Sequence, residues 1–210
     1  IIHRGDQGPT LHCVNLAQGI KQPIIYYQHH PEKKYIESVK KAFRDIRRFH
    51  GQPQGMYGAD ELLHGTKPTQ GSEFCSTVEM MFSLENMAAI TGDMEFVDHL
   101  EKVAYNALPT QANDAFTAKQ YYQQANQVLI SKRIHNFYTE SPYRIVYGLL
   151  TGYPCCTSNM HQAWPKLTQH LWYASADDGL AALVYAPSVV EAKVAQGQTV
   201  RIIEDTQYPF

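Results

Sequence analysis

The feature that most constrains the fold is a change in hydrophobic period along the chain. Before about residue 174, apolar residues recur at helical spacing; beyond Gly179 they gather in short strand-forming runs. Tyr35, Val39, Phe43, Ile46 and Phe49 share one face of a helix that opens at Pro31 and ends by Gly51. Lys33, Lys40, Lys41, Arg44 and Arg47 make its other, solvated face. Ser72 opens a second helix, with Val78, Met81, Phe82, Leu84, Met87 and Ala88 stacked on one side until Gly92 stops it. Asp93 caps a third through Phe96, Leu100, Val103 and Leu108, ended by Pro109, and a last helix is expected from about Asn159 to Trp172. Leu11 to Tyr27 reads as an apolar stretch kinked or broken at Pro23. Residues 52–71 read as a long connection, functional or disordered, and 110–152 as short helices and loops with room for a strand near Gln127 to Ile130. Leu180 to Ala186, Val189 to Val194 and Thr199 to Ile203 read as strands, the last two joined by a turn at Gln196-Gly197. The expectation is a mainly α domain over 1–174 joined to the start of a β domain over 175–210.

Composition narrows the function classes. With a formal net charge of -2 on 210 residues, the chain has no electrostatic reason to bind nucleic acid or an anionic membrane. No run is apolar enough to span a bilayer. The chain opens on Ile1 without an initiator Met, and its last strands have no partners after them. A piece of a longer protein is therefore expected, which leaves compartment and oligomeric state open.

Four cysteines, Cys13, Cys75, Cys155 and Cys156, are too few for a disulfide scaffold, and the adjacent pair reads as two thiols or thiolates. Glu73 and Cys75 fall in the first turn of the Ser72 helix, where the helix dipole favours negative charge. Together with Cys155 and Cys156 they supply three sulfurs and a carboxylate, a plausible tetrahedral zinc set. Spacing alone equally admits Cys75 as a small buried hydrophobe, the pair as incidental packing and Cys13 as a plain buried thiol.

The surrounding residues carry a resemblance. Gly71-Ser72-Glu73-Phe74-Cys75-Ser76-Thr77-Val78-Glu79 resembles the G-x-E-x-C-x-x-x-E stretch of glycoside hydrolase family 127, and Cys155-Cys156-Thr157-Ser158-Asn159 resembles its C-C-x-x-N segment. His12 with Asn15, Gly55-Met56-Tyr57, Tyr105-Asn106-Ala107-Leu108-Pro109 and Thr206-Gln207-Tyr208-Pro209-Phe210 are smaller echoes in the same order. The resemblance implies part of an (α/α)6 barrel followed by the first strands of a β-sandwich domain. It implies Zn2+ held by Glu73, Cys75, Cys155 and Cys156, with Cys155 as nucleophile. The implied reaction is retaining hydrolysis of β-L-arabinofuranosides through a thioglycosyl intermediate, with an oligosaccharide or glycoside as partner.

That chemistry also needs a carboxyl group to protonate the leaving oxygen and then activate water. The family's acid/base Glu follows a glycine upstream of the E-x-C motif, a place that Met56 can occupy here, and Met transfers no proton. Glu61, with Asp60 close behind it, is the expected replacement, although both also fit a loop surface. His12, His161 and Tyr122 are the candidate sugar contacts, each with a plainer reading as a core or surface group. A second functional class, a non-catalytic carbohydrate-binding or scaffold protein with structural zinc, fits the closed four-ligand set and Met56 equally well.

Overall fold

The computed structural model describes residues 11–139 and 141–208. Two compact units divide the chain between Ala163 and Trp164.

The first unit is built around α4 (Phe74–Thr91). Its 12 buried residues lie all round the helix, Val78, Met80, Met81, Leu84 and Met87 among them, so it is a core helix rather than an amphipathic one. Gly92 ends it in the left-handed conformation (φ 63°), which glycine adopts without a Cβ clash. Against α4 pack α1 (Cys13–Gly19), α2 (Gln22–Tyr27) and α5 (Met94–Lys102), and α3 (Lys33–His50) packs on α2. Asp93 caps α5 by accepting from the Glu95 amide, as its position indicated. α3 turns Val39, Phe43 and Ile46 inward. Its basic face is only partly solvated, because Lys40 pairs with Asp93 (2.5 Å) and Arg47 with Glu95 (2.9 Å) at the start of α5. The break expected at Pro23 comes earlier, between Gly19 and Gln22, and Pro23 sits in the first turn of α2, where its missing amide costs nothing. Nor does Pro109 stop the chain. α5 runs on through a π-helical turn (Val103–Ala107) into α6 (Leu108–Thr110), with the proline again in a first turn.

The largest departure from the expected layout is residues 52–71. Instead of a structureless connection they fold into β1 (Gly58–Asp60) and β2 (Leu62–Gly65). β3 (Ser72–Glu73) and β4 (Tyr122–Gln123) complete a four-stranded sheet of order β2-β1-β3-β4. β1 pairs parallel with β3 through Ala59 and Ser72, and β3 pairs antiparallel with β4 through Glu73 and Tyr122. Ser72 therefore opens a short strand rather than a helix. The 127–130 stretch carries no strand, and Val128 and Leu129 are exposed.

α7 (Cys155–Thr168) starts four residues earlier than Asn159, so the cysteine pair lies in its first turn, not in a loop before it. In the second unit β5 (Trp172–Ala174) pairs with β6 (Leu180–Ala182), and β7 (Ser188–Val194) with β8 (Gln198–Glu204). Ala195, Gln196 and Gly197 make the β7–β8 turn, all at positive φ. Among the described residues, no helix is long and apolar enough to cross a membrane.

Candidate active site

Three short elements deliver the site. β3 runs straight into α4, so Glu73 is the last strand residue and the N-cap, and Cys75 stands one residue inside the helix. The first turn of α7 brings up Cys155 and Cys156. Ligand atoms of Glu73, Cys75, Cys155 and Cys156 all lie within 4.8 Å of one another. Cys75 Sγ and Cys156 Sγ are 3.1 Å apart, and Cys156 Sγ is 3.8 Å from Glu73 Oε1. A tetrahedral zinc site with thiolates at 2.3 Å needs sulfur–sulfur edges of about 3.8 Å, so a sub-ångström spreading of the sulfurs would seat the ion. Three soft sulfurs and one carboxylate match what zinc accepts.

Burial differs within the cluster: Cys75, Cys156 and Glu73 are buried, whereas Cys155 is exposed. Their protonation follows. Hydrogen bonds from Cys156 and Cys75 pull the Cys155 thiol well below its ordinary range. Cys75, donating to Cys155, is held up, and burial pushes Cys156 up. Burial, reinforced by the charge of Glu61, raises the Glu73 carboxyl to about 7. The one sulfur of the cluster open to solvent is thus also the one whose thiol is lowered, which is what a nucleophile requires.

Glu61 forms the turn between β1 and β2, where Asp60 and Leu62 pair directly. Its φ of 83° is rare for a residue with a side chain and is sustained by contacts on both sides. Its carbonyl accepts from the Cys13 amide (2.7 Å). Its Oε1 accepts from the hydroxyls of Tyr121 and Tyr122, each at 2.8 Å. Its Oε2 faces His12 Nε2 at 3.1 Å. His12 Nδ1 caps α1 by accepting the Asn15 amide, so the ring proton sits on Nε2 and points at Glu61. The Tyr121 hydroxyl also lies beside Cys155 and helps lower its thiol; its single proton serves Glu61 or Cys155, one at a time.

The remaining candidates separate. Asp60 is buried and turned to His64, and its Oδ2 accepts from the Tyr138 amide (2.7 Å), so it fastens the turn. Tyr122 is wholly buried against Phe137 and Tyr121 and meets the site only through its hydroxyl, leaving no ring face for a sugar. His161 is exposed on α7, six residues beyond Cys155 and so on the order of 120° around the helix from it. Met56 is packed in the core at 2% exposure. Two groups beyond the sequence candidates touch these residues, Tyr121 on Glu61 and Cys13 on Glu73. Tyr121 had only its neighbour as a signal. Cys13, which carried no motif, donates its thiol to Glu73 Oε2 at 3.1 Å.

A polar turn, paired tyrosines and a sulfur–carboxylate cluster on a helix-rich frame define a protein with a metal-competent thiol site. Residues 4–169 match the model of the GH127 β-L-arabinofuranosidase catalytic domain, and the chain belongs to that family. Among solved structures it is similar to the GH127 β-arabinofuranosidase BT3674 (TM-score 0.72, 19% identity, covering 94% of this chain and 30% of that one). It is also similar to Ara127N, a GH127 β-L-arabinofuranosidase from Geobacillus stearothermophilus (0.75, 14% identity, 94% and 32%). A third, described as a glycoside hydrolase, gives 0.75 at 15% identity, with coverage of 98% and 37%. The chain thus spans about a third of the length of these solved relatives. No curated protein matches it.

Proposed function

We propose that this chain carries the catalytic centre of a retaining glycoside hydrolase acting on β-L-arabinofuranosides or closely related sugars. The observation that carries the reading is the exposed Cys155 in a cluster with Glu73, Cys75 and Cys156, with Glu61 nearby against the same Tyr121. Glu61 and Cys155 both lie against Tyr121, the carboxylate-and-thiolate pair that a double displacement needs.

Cys155 Sγ attacks the anomeric carbon while Glu61 protonates the departing oxygen; Glu61 then takes a proton from the water that releases the sugar from Cys155. Both lone-pair sites of Oε1 are occupied by phenols, so the travelling proton belongs on Oε2, the oxygen facing His12. Thr139 meets the Tyr122 oxygen at 2.6 Å, which leaves the Tyr122 proton free to point at Glu61. Glu73, Cys75, Cys155 and Cys156 would hold zinc. The ion would supply charge that keeps the thiols deprotonated and makes the Cys155 sulfur a better leaving group. His12 contacts the sugar in this reading, at the mouth of the site. His161 lies too far round α7 for that role. We further assign the first unit to part of an (α/α)6 barrel and the final strands to the start of a β-sandwich domain.

The test compares full-length wild type with Cys155→Ser on aryl β-L-arabinofuranosides. Hydrolysis confined to the wild type, with Cys155→Ser still folded, supports the enzyme. No hydrolysis by either returns the chain to the carbohydrate-binding or scaffold reading, and equal hydrolysis by both would remove Cys155 as the nucleophile.

A further inference from the structure

We propose that Cys13 is a positioning residue for the metal centre: its thiol donates to Glu73 Oε2 and commits Glu73 to ligate through Oε1 alone. The inference rests on reading Glu73, Cys75, Cys155 and Cys156 as a metal site. Its observation is a division of labour between the carboxylate oxygens. Oε2 receives Cys13 Sγ at 3.1 Å, and Oε1 is the oxygen turned to Cys156 Sγ, at 3.8 Å. The metal-facing oxygen is therefore already selected.

The thiol is held in place by its own backbone. Cys13 is the first residue of α1 and wholly buried. Its amide donates to the Glu61 carbonyl (2.7 Å), and its carbonyl accepts from the Tyr57 hydroxyl (2.8 Å). One residue thus ties the β1–β2 turn, which carries Glu61, to the carboxylate on β3. For Glu73 to bind a metal through both oxygens, Oε2 would have to leave Cys13 and strand a buried thiol. Partners of this kind fix the orientation of a metal ligand, and their loss weakens metal binding about ten- to a hundredfold. Cys13 is not itself a fifth ligand in this account. Its sulfur groups with His12 and Glu73 rather than with the three other sulfurs, and the four-donor set is complete without it.

The experiment titrates Co(II) into full-length wild type, Cys13→Ala, Cys13→Val and Cys13→Ser against a chromophoric chelator, and records the sulfur-to-cobalt charge-transfer band. Cys13→Val also removes the donor while keeping the volume, which guards against collapse of the site. Ala and Val should lower Co(II) affinity about ten- to a hundredfold. Ser should restore it, and the band intensity per bound ion should be the same in all four. Wild-type affinity in Ala and Val would overturn the positioning role and leave the metal site standing. A weaker band per ion in those variants would make Cys13 a ligand and overturn it differently. A wild type that takes up no Co(II) would remove the metal site and this inference together.

Discussion

Replacing Glu73 by Gln should make the metal-free protein more stable at alkaline pH while weakening its metal site. The Glu73 carboxyl is 1% exposed and ionises near 7 rather than at its ordinary 4.5, chiefly through burial. In the unfolded chain the same group loses its proton near the ordinary value, so between the two the folded state binds the extra proton. Stability is then fully present below the unfolded value and falls as pH rises through 7. At about 1.4 kcal/mol per pH unit, the fall between pH 5 and 8 comes to roughly 2.5 kcal/mol. Glu73→Gln keeps the shape and cannot ionise, so this slope should vanish. Urea unfolding of both full-length proteins at pH 5, 6, 7 and 8, with chelator and reductant present, measures the difference. Wild type should lose ground steadily to the variant on the metal-free curve. With zinc added the order should reverse, because only wild type retains the carboxylate ligand. Parallel curves for the two metal-free proteins would refute the argument, since they would place the carboxylate in water.

Tyr121→Phe and Tyr122→Phe each remove one hydroxyl from Glu61 Oε1. A lost hydrogen bond to a charged group is worth about 1.5 kcal/mol, so each should cut kcat about tenfold on an aryl arabinofuranoside, with the fold retained by circular dichroism. Gly152 has φ 88°, and a Cβ there would meet the Tyr121 ring at 2.3 Å. Gly152→Ala should therefore lower both Tm and hydrolysis, at a cost of about 1–3 kcal/mol. Cys75 and Cys156 are held as thiols without metal. Metal uptake should then release two protons from them and, below about pH 7, the Glu73 proton as well, so affinity should rise about a hundredfold per pH unit above neutrality and more steeply below it, as chelator competition at pH 6, 7 and 8 would show.

Much of the helical frame was legible because its signals are local. Val39, Phe43 and Ile46 sit on one side of α3, Gly92 stops α4, Asp93 caps α5, and Gln196-Gly197 turns β7 into β8. The four-stranded sheet was not, since strands of two to four residues show no period and depend on partners such as Ser72 and Gln123, 51 positions apart. That sheet makes the site: it sets Glu61 on a strained turn and feeds Glu73 into α4. Glu61 was reached by elimination, because Met56 has no acidic proton, yet nothing in the sequence announces its positive φ or its two tyrosine donors. The meeting of Glu73 and Cys75 with Cys155 and Cys156 was one reading that the residue types admitted, and the family motifs tipped the balance toward it. Tyr122 illustrates the opposite limit, an aromatic ring that composition suggests for a sugar and packing assigns to the interior.

The most direct measurement of the account is covalent trapping. A mechanism-based β-L-arabinofuranosyl inactivator, incubated with the zinc-loaded full-length protein and followed by peptide mapping, should leave one sugar on the peptide containing Cys155, at its sulfur. Labelling of Glu61 or any other residue in place of Cys155 would contradict the thiolate nucleophile on which the proposed chemistry stands.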